Sequence, residues 1–129
     1  MEESVRYWME LSDYDLEPAD AMLQTGRYLY VGFMCHQAVE KLFKGFYRQE
    51  TDKIPPKTHN LRLLARESEI VGKLSLAQRE LLALLDPLNM EARYPEHKER
   101  ISSLMTADRC TELLGDTRRL HGWIKKQLY

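Results

Sequence analysis

The chain has 129 residues, and its 19 Lys and Arg side chains against 20 Asp and Glu side chains give a formal net charge of -1. This length favours one domain, spanning residues 1–129, whose core needs no metal or disulfide to fold. The balanced charge excludes a general attraction to nucleic acids or anionic membranes, so any site for a polyanion must be local.

The first predicted helix covers residues 2–24, where apolar side chains recur at helical spacing. Pro18 lies inside this pattern and removes one backbone hydrogen bond, so a bend is predicted near Tyr14–Pro18. The stretch has no basic segment that leads into an apolar one, which predicts neither a signal peptide nor a membrane-spanning segment. A cytoplasmic location is therefore expected.

The second predicted helix, residues 27–49, carries the widest apolar face of the chain. Its apolar side chains recur every three or four residues, at Tyr28, Val31, Cys35, Ala38, Val39, Leu42 and Phe46. A face this wide predicts a central helix that touches several neighbours. The polar side chains that share another face are Gln37, Glu40, Lys41 and Lys44. That face is interpreted as solvent-exposed, with a weak ion pair between Glu40 and Lys44.

The second half of the chain is predicted to hold shorter helices and a loop. The helices are predicted at 58–71, with Thr58 as N-cap and Gly72 at the end, at 75–86, behind a capping box of Ser75 and Gln78, and from Thr106 onward. The pattern breaks between Pro87 and Ser103, where an irregular connection is expected. Nothing alternates as a strand does, so an all-α, up-and-down antiparallel bundle of four to five helices is predicted.

Two patterns argue against a metal site. Cys35 and Cys110 each lie in an apolar helical pattern and not in a paired-cysteine motif, which favours buried, reduced thiols. A di-iron site in a helical bundle needs glutamates three residues before histidines, and no glutamate in the sequence has that spacing. No metal and no other cofactor are therefore expected.

Two stretches of sequence resemble the HEPN domain family. They are Cys35-His36-Gln37-Ala38-Val39-Glu40-Lys41-Leu42-Phe43-Lys44 and Lys57-Thr58-His59-Asn60-Leu61, with Trp8, Asp15-Leu16 and Ala92-Arg93-Tyr94-Pro95 in the family's order. The resemblance covers nearly the whole chain and implies a HEPN-like bundle of the small prokaryotic kind that is paired with minimal nucleotidyltransferases. It implies a homodimer that binds a nucleotide, RNA or a partner in a toxin–antitoxin-like system, away from membranes.

The resemblance also implies an alternative function, that of a metal-independent endoribonuclease. Many members use an arginine and a histidine separated by four to six residues, at a dimer interface near the start of the last helix. Arg93 and His97 are the candidate catalytic pair here, with three residues between them. Such a pair would supply a base for the 2′-hydroxyl proton and a cation for the phosphate.

Arg93 also has a non-catalytic interpretation. It can pair with a carboxylate such as Glu91 or Glu96 while Tyr94 and Pro95 pack as a plug. The short spacing to His97 favours this interpretation and a binding module over an enzyme. Whether the protein is an enzyme therefore stays open at this point.

The candidate binding residues outside this pair are mostly basic. Lys41, Lys44 and Arg48 lie along one ridge of the second helix and, with Arg93, can form a small anion site, although a solvated face is the alternative. His59 and Tyr94 are the other candidates. His59 is expected near the start of the third helix, where its ring packs or forms a hydrogen bond.

Overall fold

The computed structural model describes residues 2–89 and 95–128, and of residues 95–98 it describes the backbone only. Its α-helices are α1 (Glu3–Leu16), α2 (Ala19–Gln24), α3 (Tyr28–Thr51), α4 (Leu61–Glu67), α5 (Leu76–Leu85), α6 (Pro95–Leu104) and α7 (Ala107–Lys125), with short 3-10 turns at Ile70–Lys73 and Asp86–Leu88. The described ranges contain no strand. The predicted all-α helical bundle is confirmed.

Helix α3 is the central element, as its wide apolar face predicted. It packs against α1, α2, α4, α5, α6 and α7, and against the 3-10 turn Asp86–Leu88. Its apolar positions Val31, Cys35 and Leu42 are fully buried. Gly32 allows the closest approach, because an added Cβ would lie 2.9 Å from both Leu88 Cδ1 and Met105 Cε.

The predicted bend in the amino-terminal region is confirmed. Helix α1 ends at Leu16 and α2 begins at Ala19, so the break falls at Glu17 and Pro18. The α1 half is fixed to the central helix by Ser12, whose buried Oγ donates a hydrogen bond of 2.6 Å to the carbonyl of Ala38.

The third helix is shorter than predicted, and Thr58 is not its cap. Asn60 is the N-cap of α4, since its side chain accepts a hydrogen bond of 3.0 Å from the backbone N–H of Leu63. The Thr58 hydroxyl instead accepts from the N–H of Asn60, which makes a turn before the helix. Helix α4 ends at Glu67, and Glu69 has a left-handed backbone with φ of 67°. Gly72 therefore plays no part in ending it.

The segment between Pro87 and Ser103 is not an irregular connection throughout, because α6 occupies Pro95–Leu104. Proline is tolerated at the first helical position, where its missing N–H would have no partner in the helix anyway. The capping box of Ser75 and Gln78 and the N-cap at Thr106 are as predicted. Across the described residues, no helix is both long and apolar enough to cross a membrane.

The predicted burial of the two cysteines is confirmed. Cys35 and Cys110 are both free and buried. Burial raises the pKa of Cys35 to about 12, so its thiol is protonated and unreactive at neutral pH.

Candidate functional site

The polar face of α3 is covered rather than solvent-exposed, with Glu40 and Lys44 buried and Gln37 and Lys41 half-buried, which corrects the sequence interpretation. Glu40 is 1% exposed, His36 0% and Lys44 8%. Helix α1 packs along one side of α3, while α4 and the turn Asp86–Leu88 pack along others. The charged groups of this face therefore lie between helices, where an ionised carboxylate is stable only with close partners.

The carboxylate of Glu40 has two such partners. Its Oε1 lies 2.9 Å from Nδ1 of His59, and its Oε2 accepts a hydrogen bond of 3.2 Å from Nζ of Lys44. The same ammonium group lies 5.7 Å from the ring centroid of Trp8 on α1, within the range of a cation–π interaction. The pair thus links α3 to α1 through Lys44, and to the segment that leads into α4 through Glu40.

A second carboxylate, that of Asp86, lies at the other side of the α4 start. Its Oδ1 accepts a hydrogen bond of 2.7 Å from the N–H of Leu61, and its Oδ2 accepts one of 3.0 Å from Nε of Arg62. Burial alone would raise the pKa of Asp86, but the His36 ring, the Leu61 N–H and the Arg62 guanidinium outweigh it and hold the pKa below its usual value. Asp86 is therefore ionised at neutral pH.

His36 lies between the two carboxylates. Its Nδ1 is 3.8 Å from Glu40 Oε1 and its Nε2 is 3.8 Å from Asp86 Oδ1. These distances are too long for hydrogen bonds, and Nε2 is buried without a hydrogen-bond partner in the described part of the chain. His36 is therefore packed between the two acids without a hydrogen bond of ordinary length to either of them.

The sequence candidates Lys41, Lys44 and Arg48 are each engaged with other groups of the protein. Lys41 donates to Asp15 Oδ2 at 3.1 Å and to Gln37 Oε1 at 3.0 Å. Arg48 Nε donates to the Ser4 hydroxyl at 2.8 Å. Lys41 and Arg48 thus hold α1 against α3, whereas the Lys44 ammonium bonds to Glu40 within α3.

The structure describes the remaining sequence candidates to different extents. Arg93 and Tyr94 lie outside the described residues, as does the side chain of His97, whose backbone is in the first turn of α6. His59 is described, and its side chain is 55% exposed while its Nδ1 contacts the buried Glu40. It is the one candidate seen to combine an anchored ring with access to solvent in residues 2–89.

Three polar residues of this region were not identified from the sequence: Arg62, Asp86 and Asn89. Asp86 is the last residue of the predicted helix 75–86, and Arg62 lies within the predicted helix 58–71. Asn89 Oδ1 accepts a hydrogen bond of 2.8 Å from Nε2 of Gln37, 52 residues earlier. No local spacing signals such contacts, since they depend on which elements the bundle places side by side.

A groove of about 610 Å³ opens between α5, α6 and α7, away from the polar cluster. Its walls are formed by Ala83, Leu84, Pro87, Leu88, Arg100, Ile101, Leu104, Met105, Arg109, Glu112, Leu113 and Asp116. Leu84 and Leu104 are 63% and 52% exposed, although most exposed positions of soluble helices are polar. The groove is thus an apolar surface with both signs of charge along it.

Among residues 2–89 and 95–128, no group of three or more His, Cys, Asp or Glu side chains is arranged to hold a metal ion.

Comparison of the sequence with known proteins assigns the chain to a family. Neither the curated proteins nor the solved structures contain a match to the chain. The sequence model of the HEPN domain matches residues 5–127, which is nearly the whole chain and agrees with the helical bundle. The chain therefore belongs to the HEPN domain family.

Proposed function

We propose that this HEPN protein is a dimeric module that binds a nucleotide or a protein partner and acts with a nucleotidyltransferase, in a toxin–antitoxin-like system of the cytoplasm. The observation that carries the proposal is the apolar groove between α5, α6 and α7. Exposed leucines in a groove of this size are typical of surfaces that another chain covers. The two free, buried cysteines suit a reducing compartment.

The occupant that fits the groove best is a second copy of the chain. Arg109 and Glu112 both line it, one turn apart on α7. In a two-fold symmetric contact each patch meets its own copy, so an arginine on one chain can approach a glutamate on the other. A surface that combines exposed leucines with both signs of charge can be complementary to itself in this way.

The dimer is tested by mass measurement with a matched pair of variants. Light scattering at micromolar concentration should give twice the chain mass of 15.3 kDa. Leu104→Glu should yield the monomer, because a carboxylate would be placed in the apolar contact. Leu76→Glu is the control, since Leu76 is 73% exposed and does not line the groove. A monomeric wild type, or equal behaviour of both variants, would reject this interface.

Pairing with a nucleotidyltransferase rests on family membership. The neighbouring reading frame is expected to encode a minimal nucleotidyltransferase, and the two proteins should elute together at a fixed ratio after co-expression. A nucleotidyltransferase that leaves this chain unbound, together with no nucleotide binding in calorimetry, would overturn the proposed module.

Endoribonuclease activity through Arg93 and His97 is the second candidate function. The observation in its favour is the position of α6, which begins at Pro95 and supplies Arg100, Ile101 and Leu104 to the groove. A second copy in that groove would therefore contact the helix whose first turn contains the backbone of His97. A catalytic pair at a dimer interface is the arrangement that the family resemblance implies.

A further inference from the structure

Helix α1 carries an outer face of tyrosines and glutamates, which we call the acidic face: Glu3, Tyr7, Glu10, Tyr14 and Glu17. These residues follow one another at intervals of four and three, so they lie on one side of the helix. Tyr7 and Tyr14 are 57% and 75% exposed, and the three glutamates are exposed as well. Among residues 2–89 and 95–128, no ion pair involves these glutamates.

Helix α7 carries an outer face of the opposite charge, which we call the basic face: Arg119, Gly122 and Lys126, again at intervals of three and four. All three are exposed. Arg119 pairs with Asp116 on its own helix, yet its side chain remains 75% exposed. Glycine weakens a helix relative to alanine, and a Cβ added at Gly122 would have nothing described within 4 Å. The fold therefore does not require glycine there, whereas a partner that approaches closely would.

The two faces belong to segments of strongly unequal charge. Residues 2–20 contain seven acidic side chains and one basic side chain, Arg6. Residues 118–126 contain four basic side chains and no acidic one. A chain of nearly neutral total charge thus has an acidic and a basic surface, which can attract each other between copies.

Helices α1 and α7 are antiparallel neighbours. The carboxylate of Asp13 on α1 lies 3.2 Å from Nε2 of His121 and 3.1 Å from Nζ of Lys125, both on α7. Helix α1 runs against α3 and α7 runs along it, as four polar contacts show: Ser4 with Arg48, Ser12 with Ala38, Cys110 with Tyr28 and Gln127 with Gln49.

The acidic and basic faces lie on the same side of the molecule. On α1, Ser12 points to α3, Asp13 points to α7, and the acidic face follows after about a further quarter-turn. On α7, Cys110 points to α3, Lys125 points to α1, and the basic face follows after about a further quarter-turn. Because the helices are antiparallel, both quarter-turns lead to the same side of the α1–α7 layer, away from α3.

A two-fold axis parallel to these helices would bring α1 of each copy onto α7 of the other. Such an axis changes no height along the helices, so the α7 of the second copy stands at the level of the chain's own α7. Asp13 fixes that level, since it lies between His121 and Lys125. Across the contact, three pairs then stand opposite each other: Glu10 and Lys126, Tyr14 and Gly122, and Glu17 and Arg119.

The charges favour this axis over the alternative. A two-fold axis perpendicular to the helices would place α1 on α1 and α7 on α7, where like charges meet at a cost. The parallel axis instead places a glutamate opposite a basic side chain at two levels. Between those levels, the exposed ring of Tyr14 meets Gly122, which has no side chain, and buried tyrosines are frequent anchors of interfaces.

We propose that a second copy of the chain docks here, with the acidic face of each copy on the basic face of the other. None of the acidic or basic face residues lines the groove between α5, α6 and α7, so this contact links groove dimers to one another. It is short and rich in charge, so it forms at higher protein concentration than an apolar interface. The inference goes beyond the proposed function, because it needs neither a nucleotide nor a nucleotidyltransferase.

The test is sedimentation equilibrium of the full chain from micromolar to near-millimolar concentration. The wild-type mass should rise above that of two chains, and the mass of Leu104→Glu should rise from one chain towards two. In the Leu104→Glu background, Glu10→Lys or Lys126→Glu should weaken this association at least about tenfold, because like charges then meet at two places. Glu50→Lys, at an exposed position outside both faces, should leave it unchanged.

A mixture of the Glu10→Lys and Lys126→Glu chains separates a direct contact from an indirect effect of charge. In a mixed pair, the two changed side chains meet each other and the two unchanged ones meet each other, so both contacts regain opposite charges. The mixture should therefore associate more tightly than either variant alone. Circular dichroism checks that the helices of each variant are intact.

Two results would overturn the interface. One is a Leu104→Glu mass that stays at one chain over the whole concentration range. The other is a mixture that associates no more tightly than its separate components. Both results leave the groove dimer untouched, because that dimer is measured with wild type at micromolar concentration.

Discussion

The ion pair of Glu40 and Lys44 lies under α1 and beside the segment before α4, so its energy differs from that of a surface pair. An exposed pair of this spacing contributes a few tenths of a kcal/mol. Removing one member of a buried pair leaves the other charge without compensation, which costs about 3–5 kcal/mol. Burial of the pair thus decides how strongly α1, α3 and the start of α4 depend on one another.

Lys44→Ala is therefore expected to lower the free energy of unfolding by about 3 kcal/mol, because Glu40 would keep only His59 as a partner for its charge. Urea denaturation measures this loss. Lys53→Ala, at an exposed position after α3, should change the free energy by less than about 0.5 kcal/mol. Similar small losses in both variants would mean that the pair is solvated, as the sequence alone had suggested.

Asp86 should make the stability depend on pH. Its folded pKa lies below the usual value of 3.8, so the ionised carboxylate stabilises the fold above that value and the contribution is lost as pH falls through the lower folded pKa. The wild type should be more stable than Asp86→Asn at pH 7, and the difference should shrink below about pH 4.

Thermal melts of wild type and Asp86→Asn between pH 3 and 7 measure this difference. Glu50→Gln, which changes an exposed carboxyl on α3, serves as the control and should follow the wild type. A constant gap between wild type and Asp86→Asn across the range would show that the ionised form of Asp86 has no special partner.

Helix α3 determines the core because every other α-helix of the described chain packs against it. Leu42 lies in the middle of its buried face with 0% exposure. Leu42→Ala should lower the free energy of unfolding by about 2–5 kcal/mol through lost burial and the cavity left behind. Leu76→Ala, at a position 73% exposed, should cost well under 1 kcal/mol in the same urea melts. Equal losses in Leu42→Ala and Leu76→Ala would mean that α3 is rotated about its own axis, so that Leu42 does not face the core.

The helix boundaries that could be predicted are those set by neighbouring residues. Pro18 breaks the first helix, and the Ser75–Gln78 capping box begins α5, because each acts within one turn of the chain. Thr58 and Asn60 both fit a cap, and only the packing of Leu61 against the core with its N–H on Asp86 selects the second. Pro95 similarly fits a loop or a first helical turn.

The candidate site was predictable only in part for the same reason. His59 could be identified from its motif, whereas its anchor Glu40 was assigned to a solvent-exposed face. That error arose because the pattern of α3 gives the side on which a residue lies but not what covers that side. Arg62 and Asp86 are 24 residues apart and meet only after α4 and α5 have packed.

The shape of the whole molecule separates two regions with different expected roles. The polar cluster of Glu40, His59, Arg62 and Asp86 lies where α4 and the turn after α5 meet α3. The apolar groove lies between α5, α6 and α7. The groove lining includes none of the four cluster residues, so a substitution in one region can be tested without changing the other.

The proposed cleavage of RNA would involve helix α6, which borders the second of these regions. We expect the purified protein to show no EDTA-resistant cleavage of single-stranded RNA above the level of His97→Ala. The backbone of His97 lies in the first turn of α6, and Arg93 stands four positions earlier in the sequence. With three residues between them instead of the family's four to six, the imidazole and guanidinium would be displaced from each other. A displacement near 1 Å can cost about a hundredfold in rate.

The measurement is a cleavage assay in EDTA with wild type, Arg93→Ala and His97→Ala, and with Arg66→Ala as the matched arginine control. Strong cleavage by the wild type that is lost in Arg93→Ala and His97→Ala but kept in Arg66→Ala would contradict the expectation and establish the ribonuclease function. Cleavage that His59→Asn alone abolishes would instead assign the base to the anchored imidazole on Glu40. Cleavage unchanged in every variant would come from a contaminating nuclease or from another site of the chain, because a general base that takes the 2′-hydroxyl proton cannot be removed without loss of rate.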